Sequence, residues 1–241
     1  SATSHAVTFH KPIRVERRVG ERQQADHPWG IPPEDQPPEA AASDDITMGI
    51  PGFAVDGRPA DCVKLALSQL VEPPIDLVIS GMNAGANVGI NVIYSGTVAA
   101  AREASFVGIA ALAVSLHIGE WSKVKWRDAA RYARDAIDHA LTLPHDPHTV
   151  ININVPILDE RDRPEGTRIL PLSTSALRDS YEKIDNGDGS FSYRVNESMA
   201  FRESQDGTDV HAIYQGYTTI TPLHFDMTHG PQMQKFELHG Q

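Results

Sequence analysis

Between Gly81 and Thr97 the chain reads GMNAGANVGINVIYSGT, which concentrates groups able to hold an anion. Gly81, Gly85 and Gly89 alternate with Asn83, Asn87 and Asn91, and Ser95-Gly96-Thr97 closes the run. The glycines let the backbone bend where a Cβ is forbidden and let a ligand approach the main chain. The asparagines supply neutral oxygens and N–H donors. Ser95-Gly96-Thr97 stands directly before Val98-Ala99-Ala100-Ala101-Arg102-Glu103, a good helix start. Hydroxyls and free backbone N–H groups at such a start form a phosphate-sized anion site. The same Ser95 and Thr97 also suit plain helix capping. The glycine spacing alone matches neither a Walker loop nor a dinucleotide fingerprint, so it leaves the anion unidentified.

The elements around this run must place it. Ile75, Leu77, Val78 and Ile79, between Pro73-Pro74 and Ser80-Gly81, predict a strand buried on both faces, as in a parallel sheet. A loop just beyond the carboxyl end of such a strand lies in the usual ligand crevice of an open α/β sheet. Cys62–Leu70, behind Asp61, has helical apolar spacing. Ile109–Ser115 is a second buried strand, and Trp126–Leu141 gathers Ala129, Ala130, Ala133, Ala136, Ile137 and Ala140 on one side of a helix. Val150–Val155, ended by Pro156, is a third strand. The alternation predicts an α/β, three-layer fold: a mostly parallel sheet flanked by helices, Rossmann-like, with right-handed crossovers. From Gly166 the texture becomes β-rich. Tyr181–Val195 alternates around Asn186-Gly187-Asp188-Gly189, a hairpin signal, and residues 209–220 read as another strand. A polar hairpin is marginal alone in water, so the 166–220 extension is expected to pair with another subunit.

Length and charge set the outer limits. The 241 residues suit one domain, or one with an extension. The net charge of −11 argues against a nucleic-acid duplex, whose phosphates need Lys and Arg, but permits a small phosphorylated ligand beside a metal. No run is long and apolar enough for a membrane span, and Cys62 is the only cysteine, so a cytoplasmic place is the default. Glu16–Met48, with Pro32-Pro33 and Pro37-Pro38, buries little apolar surface and reads as a mobile insertion within 16–56; Trp29 either anchors it or is exposed. Within it Asp44-Asp45 reads as a solvated acidic turn. The eleven histidines are scattered without metal-binding spacing, and Cys62 is expected only to pack.

Taken as whole strings, SGMNAGANVG and YSGTVAAAREA closely resemble the signature of the SurE-type (survival protein E) nucleotidases, metal-dependent phosphomonoesterases. Three further stretches agree in order: SATSHAVTFHKPIRV at Ser1–Val15, GRPADCVKLAL at Gly57–Leu67 and GYTTITPLH at Gly216–His224. The resemblance spans nearly the whole chain. It implies hydrolysis of nucleoside 5′- or 3′-monophosphates with a divalent metal, Mg²⁺ or Mn²⁺. It also implies Ser1 and Asn83 as metal ligands in the catalytic centre, and a phosphate pocket of Asn87, Ser95, Gly96 and Thr97. The β-rich extension would join subunits into a homodimer or homotetramer. His5, His10 and His224 lie inside matching motifs; His5 and His224 could approach the cleft or face solvent. There are departures. The family's metal-binding aspartate pair, from an NDDG motif on the first strand, has no counterpart, so that strand is expected upstream of Ser1. Without it this stretch is expected to bind metal weakly. Arg58 stands where the family usually has threonine; it either pairs with substrate phosphate or, the favoured expectation, points to solvent. The alternative reading is a SurE-like binding or assembly protein without activity.

Overall fold

The computed structural model describes residues 7–8, 11–19, 51–201 and 205–239. Ser1, His5, His10, Trp29 and the Asp44-Asp45 pair therefore lie outside the described residues. Strands β1 (Val15–Val19) and β2 (Pro51–Val55) pair antiparallel, so the two ends of the stretch read as an insertion form a ribbon. Helix α1 (Pro59–Leu65) begins at a proline, which suits a first turn, and continues as π-type helix over Ala66–Leu70. The alternation then proceeds through β3 (Leu77–Ala84), α2 (Gly96–Phe106), β4 (Ala110–Leu116), α3 (Trp126–Leu141) and β5 (Thr149–Val155). The second half comprises β6 (Thr167–Ile169), β7 (Leu177–Asp185), β8 (Phe191–Phe201), α4 (Asp209–Tyr214), β9 (Thr218–His224) and α5 (Gly230–His239).

The main sheet has the order β3-β4-β5-β9-β6. β3, β4 and β5 are mutually parallel, β9 returns antiparallel beside β5, and β6 joins β9 in parallel. Alternation of side chains sorts β4 and β5 between two helical layers. Leu112, Val114 and Leu116, with Ile151, Ile153 and Val155, meet the alanine stripe Ala129, Ala133, Ala136 and Ala140 of α3. Their intervening neighbours Ala111, Ala113 and Val150 meet Val98, Ala101 and Ala104 of α2. Alanine against alanine lets α2 lie close on the sheet. The expected three-layer, mostly parallel α/β fold is what the chain forms.

Two local expectations are corrected. Among the described residues the apolar run at Ile75–Ile79 is not buried on both faces: β3 starts at Leu77, pairs with β4 alone, and Ile79 is 46% exposed. An apolar run cannot distinguish an edge from a centre. Residues 209–220 are not one strand but α4 followed by β9. Gly216, at φ 89°, reverses the chain between them. Pro222 is tolerated within β9 because β6 pairs only with Thr218–Ile220, leaving that edge unpaired at Pro222. The hairpin at Asn186–Gly189 forms as expected, with β7 and β8 antiparallel in a sheet of their own.

Candidate functional site

The site grows from a defect in β3. Ser80 pairs with Ala113 and Asn83 with Ser115, so Gly81 and Met82 stand opposite the single residue Val114. This is a bulge, which re-aims the side chains that follow it. Gly81 takes φ 126°, and a Cβ there would collide with the Val114 carbonyl oxygen. Beyond the bulge Asn83 donates from Nδ2 to the Gly85 carbonyl at 2.7 Å. Its Oδ1 is thereby presented as the acceptor.

Asn87 is held by the sheet beneath it. Ser115 follows Ala111 and Ala113, and Asn152 and Asn154 follow Val150, so all three side chains lie on the α2 face at the carboxyl ends of their strands. The Asn87 N–H donates to Asn154 Oδ1 at 2.8 Å, and its carbonyl accepts from Asn152 Nδ2 at 2.8 Å and Asn154 Nδ2 at 3.2 Å. Its own Nδ2 donates to Ser115 Oγ at 2.7 Å. An amide carries two N–H donors, so one stays free for a ligand. Two residues on, the Gly89 N–H donates to Asp209 Oδ2 at 2.8 Å. Asp209 is fully buried, and its other oxygen accepts from the Ser173 and Val210 N–H groups, each at 2.8 Å. Burial pushes the Asp209 carboxyl pKa up, against three N–H donors that favour the ionised form. One carboxylate thus ties the asparagine loop to α4 and to the β6–β7 connection.

Asn83, Asn87 and Asn91 line a cavity of about 480 Å³ together with His117, Ile118, Phe201, Ile213 and Tyr214. Asn91 Oδ1 is buried there without a hydrogen-bond partner. Ser95, Gly96 and Thr97 stand at the start of α2 and are not among the residues lining that cavity. Ser95 Oγ accepts from the Val98 N–H at 3.1 Å, so this serine makes the cap. Gly96 and Thr97 occupy the first helical positions, whose N–H groups have no acceptor within a helix.

Several residues fall elsewhere. His224 is exposed and stacks on Phe225 with centroids 4.9 Å apart. It pairs with Thr149, the first residue of β5, so it sits at the opposite end of the sheet from the cavity. Arg58 is exposed, as expected. Cys62 is half-buried, and burial followed by the Asp61 charge pushes its thiol pKa up, which suits packing rather than reactivity. Asp61 instead accepts from Thr8 N, Thr8 Oγ1 and the Arg58 N–H at 2.9, 2.7 and 2.8 Å, securing the segment before β1 to the start of α1. Ser115, Asn152, Asn154, His117 and Asp209 had no place in the sequence-based site. The signal for two of them was visible: asparagines inside VININV are costly in a buried strand unless something bonds them.

For a divalent metal, Asn83 Oδ1 is a donor of the right kind, a neutral oxygen suited to a hard ion. Among the described residues there is no cluster of three or more His, Cys, Asp or Glu able to hold one. No described helix is long and apolar enough to cross a membrane.

A cavity lined by three asparagine amides stands at the carboxyl end of the parallel strands of an α/β sheet, the place where such folds bind their ligands. The chain belongs to the SurE family: the family model described as Survival protein SurE matches residues 1–179. A protein named 5'-nucleotidase SurE from Heliobacterium modesticaldum is 32% identical over 238 residues, covering 98% of this chain and 76% of the relative. One of the same name from Aeromonas hydrophila is 36% identical over 228 residues, covering 95% and 79%. The crystal structure of Sure Protein from Aquifex aeolicus superposes with a TM-score of 0.71 at 26% identity, covering 99% of this chain and 84% of that one. The protein therefore belongs to a nucleotidase family with this fold.

Proposed function

We propose that the protein is a metal-dependent nucleotidase that hydrolyses nucleoside 5′- or 3′-monophosphates to nucleoside and inorganic phosphate. The observation that carries the reading is the joint placement of Asn83 and Asn87 on one cavity at the carboxyl ends of β3 and β4, in a chain of this family. Asn83 Oδ1, with Ser1 from the matching motif, would hold Mg²⁺ or Mn²⁺. Such an ion polarises a phosphoryl group and lowers the pKa of a bound water. The chain's own groups do the rest. The phosphate enters the cavity with its oxygens toward the free Asn87 amide N–H; the Gly96 and Thr97 N–H groups at the start of α2 are donors that the family motif adds. As water oxygen bonds to phosphorus and the ester P–O bond breaks, charge grows on the equatorial oxygens. Fixed N–H donors stabilise that charge without reorganising. The leaving nucleoside oxygen takes up a proton. Because Asn87 is fixed by bonds to β4 and β5, its donor is preorganised before substrate arrives.

The test is phosphate release from nucleoside monophosphates with Mn²⁺ or Mg²⁺. Turnover that a chelator abolishes and added metal restores supports the reading; no turnover with either metal overturns it. The family relationship does not favour an inactive binding protein. We further propose one catalytic domain, with the 166–220 stretch as an assembly arm that makes a homodimer or homotetramer, acting in the cytoplasm. Pairing of Tyr181 with Val195, Lys183 with Tyr193 and Asp185 with Phe191 puts Tyr181, Tyr193 and Phe191 on one face of the hairpin. These rings are 59%, 63% and 49% exposed, on a face shared with Lys183 and Asp185 that a second copy would cover.

A further inference from the structure

The asparagine cavity does not end at its aromatic side. His117, Ile213 and Tyr214 line it and also line an adjoining cavity of about 320 Å³. Ile157 contributes an apolar patch to the second space, and Lys123, Asp159, Glu160 and Arg161 give it a charged rim. The shared wall is aromatic. The His117 and Tyr214 rings meet edge to face, centroids 5.3 Å apart at 79°. Tyr214 is 57% exposed, far more than its neighbour Ile213, which is buried at 2%. His117 follows β4 directly, and its N–H donates to the Val155 carbonyl at 2.8 Å, so the imidazole rests on the sheet. Its Nδ1 is buried without a hydrogen-bond partner.

We propose that His117 and Tyr214 form the nucleoside subsite, where a purine base lies against the Tyr214 ring while the phosphate occupies the asparagine cavity. The inference rests on the nucleotidase reading and deepens it by assigning the part of the substrate that the phosphate pocket cannot distinguish. A phosphate pocket made of amides treats every monoester alike. Selectivity for a nucleotide needs a second surface next to the phosphate, apolar on its face and polar at its edges, and the adjoining cavity has both. An aromatic ring supplies the face, because every base has a π-surface and a purine has the larger one. The rim supplies edge partners of both signs: Asp159 and Glu160 accept from exocyclic amino groups, while Lys123 and Arg161 donate to ring nitrogens and carbonyls. Burial, with Asp159 partly opposing, holds the His117 pKa below its ordinary value. Near pH 7 the ring is then neutral and adds apolar surface to the shared wall.

The test compares the full-length protein with Tyr214→Ala and Tyr214→Phe on AMP and on ribose 5-phosphate, which keeps the phosphate and sugar and lacks the base. The ratio of kcat/KM for AMP over ribose 5-phosphate is expected to fall roughly tenfold in Tyr214→Ala, the loss that goes with removing one base–aromatic stack. Tyr214→Phe, which keeps the ring, retains the wild-type ratio. A ratio unchanged in Tyr214→Ala overturns the subsite, whether both substrates decline together or neither does. Saturation-transfer NMR with adenosine separates this failure from failure of the underlying reading. If the wild type hydrolyses neither ester, the nucleotidase reading falls. Tyr214-dependent adenosine binding would then uphold the subsite, and its absence would overturn that too.

Discussion

The asparagine loop and the β7–β8 hairpin are built from the same residue types and use them in opposite ways. In the hairpin tip, Asp185, Asn186, Asp188 and Ser190 bond within the turn: Asp185 Oδ1 accepts from the Gly187 N–H at 2.9 Å, and Asp188 Oδ1 from the Ser190 N–H at 2.9 Å. In the loop, Asn87 reaches Asn152 and Asn154 on β5, and Gly89 reaches Asp209, partners 65 to 120 residues away. Local bonds form a turn from the residues of the turn alone. Long-range bonds fix a loop relative to the rest of the fold, and a site that must place donors around a phosphate needs the second kind. The difference predicts where substitutions cost activity, where they cost stability and where they cost neither.

The largest effect is expected at Asn83. Asn83→Ala in the full-length protein should lower turnover on the order of a hundredfold, the scale for loss of a metal support or a transition-state donor. Among the described residues its side chain bonds a carbonyl two residues away, so thermal stability should hardly change. Full turnover at limiting metal would remove Asn83 from the site.

Asp209→Asn comes next and should act on stability. An asparagine keeps one acceptor oxygen and sets an N–H₂ against a backbone N–H, at Gly89 or at the Ser173 and Val210 pair. A buried donor left unpaired costs about 1–3 kcal/mol, so the urea midpoint should fall correspondingly. If the variant unfolds at the wild-type midpoint, the loop is not held from Asp209.

The sequence made some of this legible and hid the rest for physical reasons. Strands β4 and β5 and helix α3 announced themselves because apolar periodicity is a local property that burial enforces. α4 was hidden inside a run that alternates well enough for a strand; what decides it is Asp209, turned inward to bond the Gly89 and Ser173 N–H groups from distant segments as well as its neighbour's, Val210. The same holds in the site. Asn83 and Asn87 could be picked out by motif, whereas Asn152, Asn154 and Ser115 acquire a role only when strand order brings β4 and β5 under the loop. Edge position is not written in composition either: Ile79 is as apolar as Leu112 yet exposed, and among the described residues β3 pairs on one side only.

Asp61 gives a pH-dependent test of a third long-range tie, between Thr8 and α1. Burial raises its pKa, but N–H donation from Thr8 and Arg58 and the Thr8 hydroxyl outweigh it, leaving the carboxyl below its ordinary value. A depressed carboxylate contributes stability that is present above the unfolded pKa of about 3.9 and is lost as pH falls through the folded value. Asp61→Asn should therefore flatten the acid limb of the stability profile below about pH 4, while wild type keeps its slope. Parallel acid limbs would show that other carboxylates set it.

Ser95 separates capping from chemistry at smaller cost. Ser95→Ala removes the acceptor of the Val98 N–H and should lower stability by about 1 kcal/mol. Ser95→Asp restores a cap but places a negative charge at the start of α2, where the proposed phosphate contact would lie. It should recover the stability and raise KM, whereas recovery of both would leave Ser95 a cap and nothing more.

The hairpin should show the smallest effect on the fold. Every hydrogen bond recorded for Asp185–Ser192 side chains stays within the turn, and β7 and β8 form a sheet separate from the main one. Removing Asp185–Ser192 therefore takes nothing from the core or from the asparagine cavity, and the unfolding midpoint of the isolated subunit should move within about 0.5 kcal/mol, the range for surface changes. What the deletion removes is one end of the exposed aromatic face, where Lys183 Nζ lies 3.4 Å from the Phe191 ring centroid. If a second copy covers that face, light scattering should show a lower assembly state while far-ultraviolet circular dichroism keeps its helical signal. A wild type that is already monomeric would dispose of the arm. A variant that loses helical structure together with assembly would mean that the turn, for all its local bonding, is coupled to the fold as tightly as the asparagine loop is.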